Sequence, residues 1–522
     1  MHRLRPRTLV DLLEQRSAQT PDRPAFFWDD QPRCFRALWD DVNRFAALLC
    51  SLGVARRDRV LVQLPNGPAF FQAFYGVQRA GAIAVPLFPA SGPDRVASIA
   101  RMCGATLVVV PDSTSDGHDG VRTIRVAESA TCTPPATFPA VEPADIAFLQ
   151  YTSGSTGSPK GVMLSHEGLL TNIEQLIAGM AITAEDRFVS WLPVYHDMGL
   201  ILMTMVPFCL GAPLVLLPTS LANPRPWLTT IARYRSTLTA APDFAYRLAL
   251  RYVRDPAAYD LSSLRLALDA AEPVRPRTIE EFERAFGLRH VVVAGYGLAE
   301  ATVGVSTWPA GTPPLVDSRG IVSVGRAFPD IDIRIVDQDE PVAAGHVGEI
   351  VVRSPANTRG YYNEPAETAR LFWGDGYIRT GDLGYLDDEG HLFVTGRIKN
   401  LIKHGGETIF PQEAEQIVDR LPFVRRSAAV GIDSGGAEGE QLYVFAELSK
   451  AGGHDEAGLQ NATVDVVQAI HGQLGIRPGR VYLVVPHAIP LTPNGKTRHA
   501  ALREMYLSGA LRQQDSILFP DY

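Results

Sequence analysis

Apolar residues at positions 9, 12 and 13 follow Thr8, a good helix N-cap, and predict an amphipathic helix near the start of the chain. An apolar run at 60–64 ends in Pro65-Asn66-Gly67 and reads as a buried strand leaving through a turn. Residues 68–79 then read as a helix with Pro68 at its first position, and 83–85 as another strand. A helix at 95–102 and a strand at 106–110 continue the alternation, which implies parallel sheet with right-handed crossovers. Residues 111–143 are rich in Pro, Ser, Thr, Asp and Gly and read mostly as surface connection. The α/β rhythm resumes from 146 to about 294. From about 320 short strands at 331–336, 349–353 and 391–395, separated by Gly-rich turns, predict a small β-barrel or sheet subdomain. Near 396–400 the texture changes again, and a helix at 412–420 with strands at 427–432 and 442–448 predicts a separate α+β lobe. The expected fold class is therefore α/β. A large lobe of two parallel-type sheets plus the β-barrel subdomain (about 320–396) spans 1–396, and a small lobe spans 397–522.

A chain of 522 residues exceeds what one simple core organises, which agrees with that division. Hydrophobic residues make up 46% and charged residues 20%, an ordinary globular balance. A net charge of -8 excludes a globally basic nucleic-acid binder. The five cysteines include no CxxC pair, which argues against a disulfide framework and a structural zinc site. No 18-residue apolar stretch and no signal-peptide core are present, so a cytoplasmic setting without a membrane span is the expectation. Among 49 Lys+Arg only five are lysine: Lys160, Lys399, Lys403, Lys450 and Lys496. In a sequence that favours Arg this strongly, the retained lysines mark places where a compact ammonium is hard to replace by a planar guanidinium.

Residues 151–161 read YTSGSTGSPKG, after a strand at 146–150 and before a helix starting near Ser165. Such a loop offers backbone N–H groups and hydroxyls from Thr152, Ser153, Gly154, Ser155, Thr156 and Gly157, with positive charge from Lys160, and can wrap a phosphate chain. It is not a Walker A loop. The Gly-Lys-Thr at 495–497 fails that pattern as well, because Pro490 stands where its first glycine belongs.

The order of further segments identifies the chain as resembling the adenylate-forming superfamily of acyl-CoA synthetases, nonribosomal adenylation domains and luciferases. After YTSGSTGSPKG come GYGLAE at 295–300, YIRTGDLGY at 377–385, GRIKNLIKHGGETIFPQEAE at 396–415 and PLTPNGK at 490–496, with Leu64-Pro65-Asn66 and residues 81–86 before them. The resemblance implies ATP and Mg²⁺ as cofactors and assigns roles. Tyr296 with Gly297 would hold adenine against Ala271 and Glu272, Glu300 would hold the Mg²⁺ on the ATP phosphates, and Asp382 would accept from both ribose hydroxyls. Arg397 would assist at the ribose or phosphates. Lys496 would bridge the attacking carboxylate and the α-phosphate, stabilising the charge that develops there. Lys399 stands at the position on which the mobile small lobe swivels between adenylation and thiol transfer. Lys403, Gly405 and Gly406 would line the pantetheine entry, and Lys450 lies in a predicted surface turn without assigned function.

Three segments narrow the branch. WLPVYHDMGLI at 191–201, APDFAYRL at 241–248 and AEPVR at 271–275 resemble fatty acyl-AMP ligases, which load the phosphopantetheine of acyl carrier proteins. His196, Asp197, Met198, Asp243, Phe244 and Gly295 would then line the acid pocket. The His196-Asp197 pair reads equally as a hydrogen-bonded core pair, and no third ligand suits zinc. The chain departs from that branch in three respects. Only residues 302–324 separate Ala301 from Gly325, too few for the branch's insertion. Gly405-Gly406 is retained as in CoA synthetases. Asp243 replaces an expected Asn, either to contact a polar or amine-bearing substrate or to cap a helix. The implied function is ATP-dependent activation of a fatty or aryl carboxylic acid to an acyl-adenylate, with transfer to a carrier-protein phosphopantetheine or to CoA, in secondary metabolism. The alternative is a diazotase-type enzyme that uses ATP to activate nitrite and diazotise an aryl amine.

Overall fold

A computed structural model describes residues 6–114, 120–152, 159–219, 223–404, 407–433, 440–449, 455–492 and 496–519. The opening helix, Leu9–Gln19, has the predicted cap: Thr8 accepts from the Asp11 N–H, and the Asp11 carboxylate accepts from the Thr8 N–H in return. Its buried face is Leu9, Val10, Leu12 and Leu13.

Two mainly parallel sheets carry the first two-thirds of the chain. One has six strands in the order Arg122–Arg125, Leu107–Val110, Arg59–Val62, Ile83–Pro86, Ile146–Thr152 and Lys160–Ser165, parallel except at the last pair. The other has nine strands. Its parallel centre holds Val292–Tyr296, Leu266–Asp269, Leu238–Ala241, Phe188–Ser190, Leu214–Leu216 and Pro24–Trp28. These strands are buried on both faces, as apolar runs such as Leu107–Val110 require. Helices Pro68–Arg79 and Pro93–Cys103 form the crossovers between the first strands, each with its proline at the start, where a missing N–H costs nothing.

One expectation is corrected. The segment read as surface connection contains the strand Arg122–Arg125 and a 3-10 turn, Val126–Ser129. That strand is mostly polar because it lies at a sheet edge. The expected helix start near Ser165 is met, since helix His166–Gly179 begins after the Ser165 cap; residues 160–165 before it form a strand antiparallel to Ile146–Thr152.

The predicted β subdomain is a six-stranded antiparallel sheet that includes Asp332–Asp337, Gly348–Arg353, Tyr377–Leu386 and Leu392–Arg397. The largest apolar cluster draws on residues from Leu9 to Leu392, whereas two other clusters draw only on residues from Ile402 to Leu511. The C-terminal clusters surround a four-stranded sheet of Val424–Asp433, Glu440–Leu448, Arg480–Val484 and Ile517–Phe519. Among the described residues no helix is long and apolar enough to cross a membrane.

Candidate active site

Strand ends from the nine-stranded sheet and the antiparallel sheet meet at one place. Tyr296 closes strand Val292–Tyr296, and its hydroxyl donates to Asp382 Oδ2 at 2.7 Å. Asp382 lies directly across from Arg397 in the antiparallel sheet, and Arg397 Nε reaches Asp382 Oδ1 at 2.7 Å. The neighbouring Asp382 carboxylate raises the Arg397 guanidinium despite partial desolvation. Both Asp382 oxygens are engaged, yet each carboxylate oxygen accepts two hydrogen bonds, so two acceptor positions remain. Gly297 follows at a place where a Cβ would stand 1.7 Å from the Val303 carbonyl oxygen, so the backbone passes where no side chain fits. A Cβ on Gly295 would likewise press on Leu268 Cδ1 at 2.7 Å.

Glu300 sits on the 3-10 turn Ala299–Ala301. Burial raises its carboxyl, partly offset by the Tyr361 hydroxyl, which donates to Glu300 Oε1 at 2.8 Å. Lys160 opens its strand and is ion-paired with Glu367, and its Nζ stands 5.1 Å from the centre of the Tyr361 ring. Tyr361 therefore touches both charged residues assigned to phosphate and metal. Tyr361 and Glu367 escaped the sequence reading, since they lie 61 and 207 residues from their partners and no local spacing announces the contact. Thr152 ends its strand in register with Lys160. Ser153, Gly154, Ser155, Thr156 and Gly157 lie outside the described residues, as do Gly405, Gly406 and Lys450.

Lys496 pairs with Thr492: the Thr492 N–H donates to the Lys496 carbonyl at 2.8 Å, and the Lys496 N–H donates to Thr492 Oγ1 at 3.0 Å. Burial lowers the Lys496 ammonium. The carboxylates of Asp197, Glu272 and Asp382 pull it back up, and Arg397 pushes it down. Those four residues belong to the segments 191–201, 271–275, 377–385 and 396–415, so the C-terminal lysine stands among the groups the sequence reading gathered around the nucleotide. Lys399 lies on the 3-10 turn Ile398–Asn400, lowered by burial and by Arg397. Next to it Asn400 Nδ2 contacts His499 Nδ1 at 3.5 Å, and His499 Nε2 pairs with Glu415 at 2.6 Å. Lys403 lies in the hairpin of Ile402–His404 and Glu407–Ile409, opposite Thr408.

Around the expected acid pocket, Asp197 accepts from the Met198 N–H at 2.8 Å and caps the π-helical segment Met198–Met205. His196 packs against Tyr195 with ring centres 5.0 Å apart. The Phe244 N–H donates to Glu272 Oε1 at 2.5 Å, while Ala271 adopts a positive φ of 74° and is exposed.

Asp243 is a correction to both of its readings. It is not the N-cap of helix Asp243–Tyr252, whose N-cap is Pro242, and it does not open on a pocket. It is fully buried and binds Arg247 Nε at 2.8 Å, Arg275 Nη1 at 2.6 Å and the Arg275 N–H at 3.1 Å. Burial alone would raise the Asp243 carboxyl, but Arg275 and Arg247 outweigh it and hold the group below its ordinary range. Arg275 also reaches across to Asp419 Oδ2 at 2.6 Å, at the end of helix Pro411–Val418.

Asp269, at the end of strand Leu266–Asp269, behaves in the opposite way. It is fully buried, and among the described residues neither carboxyl oxygen has a hydrogen-bond partner. Burial, then the Asp243 and Glu272 carboxylates, raise it well above the usual carboxylate range. The folded protein holds a proton here that the unfolded chain releases near pH 3.8, so this residue's contribution to stability falls as pH rises from there toward the folded value. Asp269→Asn removes that loss and should stabilise the protein at neutral pH by about 1–3 kcal/mol. Urea midpoints at acid and neutral pH check it; identical pH profiles for both proteins would contradict it.

Sheets that present Tyr296, Asp382 and Arg397 together, with Glu300 on the turn that follows, define a nucleotide-dependent ligase scaffold. Comparison with known proteins agrees. Residues 13–362 match the AMP-binding enzyme family. A 4-hydroxyphenylalkanoate adenylyltransferase of Mycobacterium tuberculosis is 31% identical over 98% of this chain and 93% of its own length. The long-chain-fatty-acid–AMP ligase FadD28 of Mycobacterium bovis is 32% identical over 98% of this chain and 100% of its own length. A structure from work on fatty acyl-adenylate ligases of E. coli and L. pneumophila superposes with a TM-score of 0.86 at 27% identity, covering 97% of this chain and 98% of that one. The chain belongs to the AMP-binding family of adenylate-forming ligases, close to the fatty acyl-AMP ligases. The 582 positions aligned to the M. bovis relative exceed this chain's 522 residues, so the relative carries segments that have no counterpart here.

Proposed function

We propose that the protein activates a carboxylic acid with ATP and then passes the acyl group to a thiol. A carboxylate oxygen attacks the α-phosphorus, the bond to pyrophosphate breaks, and acyl-adenylate forms. A thiolate then attacks the acyl carbon, and AMP leaves with the electron pair of the acyl–oxygen bond. The observation that carries this reading is the position of Lys496 among Asp197, Glu272, Asp382 and Arg397. A carboxylate approaching a phosphate brings two anions together. An ammonium held there, with its charge screened little by water, offsets that repulsion most where negative charge accumulates in the transition state.

The other roles follow from chemistry. Tyr296 and Gly297 bound the adenine site, and the free acceptor positions on Asp382 take the ribose hydroxyls. Glu300 offers a hard carboxylate oxygen beyond the one that Tyr361 uses. It suits Mg²⁺, which would neutralise phosphate charge. Among the described residues no group of three or more metal-capable side chains gathers, so phosphate oxygens and water would supply the remaining ligands. Lys160 exchanges Glu367 for phosphate oxygens when nucleotide arrives. Residues 1–396 and 397–522 act as two lobes. Lys399 is the pivot, and the Arg275–Asp419 ion pair closes the adenylation arrangement and opens for transfer.

The acid is fatty or aryl, as in the two relatives named above. The acceptor is the phosphopantetheine thiol of an acyl carrier protein in preference to CoA, and the setting is cytoplasmic secondary metabolism. Enzyme, ATP·Mg²⁺ and an acid panel should release pyrophosphate in an acid-dependent way. With holo carrier protein or CoA added, intact mass should show the acyl group on the carrier. Acyl-CoA as the sole product would reverse the acceptor preference, and no acid-dependent pyrophosphate would reject the function. Because Asp243 is consumed by Arg247 and Arg275, it lends no support to the nitrite-activating alternative.

A further inference from the structure

Tyr361 meets the carboxylate proposed for Mg²⁺ with its tip and the ammonium proposed for phosphate with its ring. Its hydroxyl donates to Glu300 Oε1 at 2.8 Å, and its ring centre lies 5.1 Å from Lys160 Nζ. The backbone explains how one side chain reaches both. Residues 360–362 lie antiparallel along strand Lys160–Ser165. Tyr361 faces Val162, the Met163 N–H donates to the Gly360 carbonyl at 3.1 Å, and the Tyr362 N–H donates to the Gly161 carbonyl at 2.8 Å. Just before them, the Thr358 N–H donates to the Glu300 carbonyl at 2.8 Å. The turn that carries Glu300 is therefore held twice by one short segment, at its backbone by Thr358 and at its carboxylate by Tyr361. The Tyr361 N–H in turn donates to Thr368 Oγ1 at 2.9 Å, on the helix Pro365–Leu371 that brings Glu367 to Lys160.

Charge and access say what this arrangement does. The hydroxyl engages one Glu300 oxygen and leaves the other for a cation. A carboxylate already fixed by a hydrogen bond has less freedom to lose when a cation binds, which favours that binding. On the other side, the electron-rich face of the ring attracts the Lys160 ammonium. The Lys160 and Glu367 side chains are 13% and 22% exposed, so a phosphate oxygen has access to the ammonium and displaces Glu367 while the ring goes on holding it. Glu300 and Tyr361 are themselves only partly buried.

We propose that Tyr361 is the positioning residue that couples the two halves of Mg·ATP recognition, its hydroxyl presenting Glu300 to the cation and its ring presenting Lys160 to the phosphates. This rests on the adenylation reading above and deepens it. Hydroxyl and ring are removed separately by Tyr361→Phe and Tyr361→Leu. Calorimetry should follow ATP binding with Mg²⁺ and, in EDTA, without it, for wild type, both variants, Glu300→Gln and the double variant Glu300→Gln/Tyr361→Phe. Tyr361→Phe should weaken Mg·ATP binding about tenfold more than metal-free ATP binding, the scale of one hydrogen bond to a charged group. Tyr361→Leu should weaken metal-free ATP binding about three- to tenfold beyond Tyr361→Phe, the scale of a cation–π contact. In the Glu300→Gln background Tyr361→Phe should add less than about twofold, because its effect passes through Glu300. Equal weakening of Mg·ATP and metal-free ATP by Tyr361→Phe, or full additivity with Glu300→Gln, would overturn the proposal, since a residue that only braces the fold acts without regard to metal. Acid-dependent pyrophosphate release by the wild type separates the two levels. Release, with no metal-dependent effect of Tyr361→Phe, would keep adenylation and reject the role of Tyr361. The metal-dependent effect without release would keep that role and reject acid activation.

Discussion

Lys496→Ala should lower acid-dependent ATP–pyrophosphate exchange by about 10²–10³-fold, the scale on which a single charge-stabilising donor acts, while sparing transfer from supplied acyl-adenylate. The reason is electrostatic. In the first step an anionic carboxylate meets an anionic phosphate, and the Lys496 ammonium stands where the Asp197, Glu272 and Asp382 carboxylates converge. The second step joins a thiolate to an acyl carbon whose phosphate is already esterified, so the same ammonium has less charge to offset. Lys496→Arg should fail nearly as badly, since a planar guanidinium does not reproduce the position of a compact ammonium. Exchange at wild-type rate in Lys496→Ala would sink the assignment. Equal loss of exchange and transfer would point to damage of the fold, which a thermal melt would reveal.

Asp243→Ala should cost about 3–5 kcal/mol of stability, the usual consequence of removing one partner from a buried ion network. It leaves Arg247 without its carboxylate and Arg275 with Asp419 alone. The pH dependence has a definite sign. Because Arg275 and Arg247 hold Asp243 below its ordinary value of 3.8, its stabilising contribution is present above that pH and is lost as pH falls through the folded value. Asp243→Ala should therefore weaken the protein most at neutral pH and least in acid. Denaturant midpoints across that range give the answer. An unchanged midpoint with an altered substrate preference would return Asp243 to the pocket.

Asp243 and Asp269 together show where reading a sequence stops. Both are aspartates near the same strand ends, and nothing local distinguishes them. The fold hydrogen-bonds one to two arginines and, among the described residues, leaves the other without a partner, so one is held ionised and the other is raised well above the usual carboxylate range. Tyr361 makes the same point. Its contacts to Glu300 and to Lys160 span chain separations that no periodicity reveals. The strand Lys160–Ser165, which no local pattern named, has a different origin. A glycine- and serine-rich loop is compatible with a following strand or helix, and the pairing of Lys160–Ser165 with Ile146–Thr152 is a tertiary choice.

The chain alone determined the α/β rhythm, because apolar runs of four residues and proline-started helices carry their periods locally. It also pointed to candidate side chains for the chemistry, because the Gly-Asp-Leu-Gly, Tyr-Gly and Asn-Gly-Lys segments place specific residues at fixed spacing whatever surrounds them. Only the tertiary structure decided how those groups are charged and what they face. It set Asp382 between Tyr296 and Arg397, held Asp243 ionised between Arg247 and Arg275, and buried Asp269 without a hydrogen-bond partner among the described residues. It also shaped an apolar cavity whose walls come from segments separated by tens of residues. Charge state and cavity volume depend on which distant atoms exclude water, and that is a property of packing.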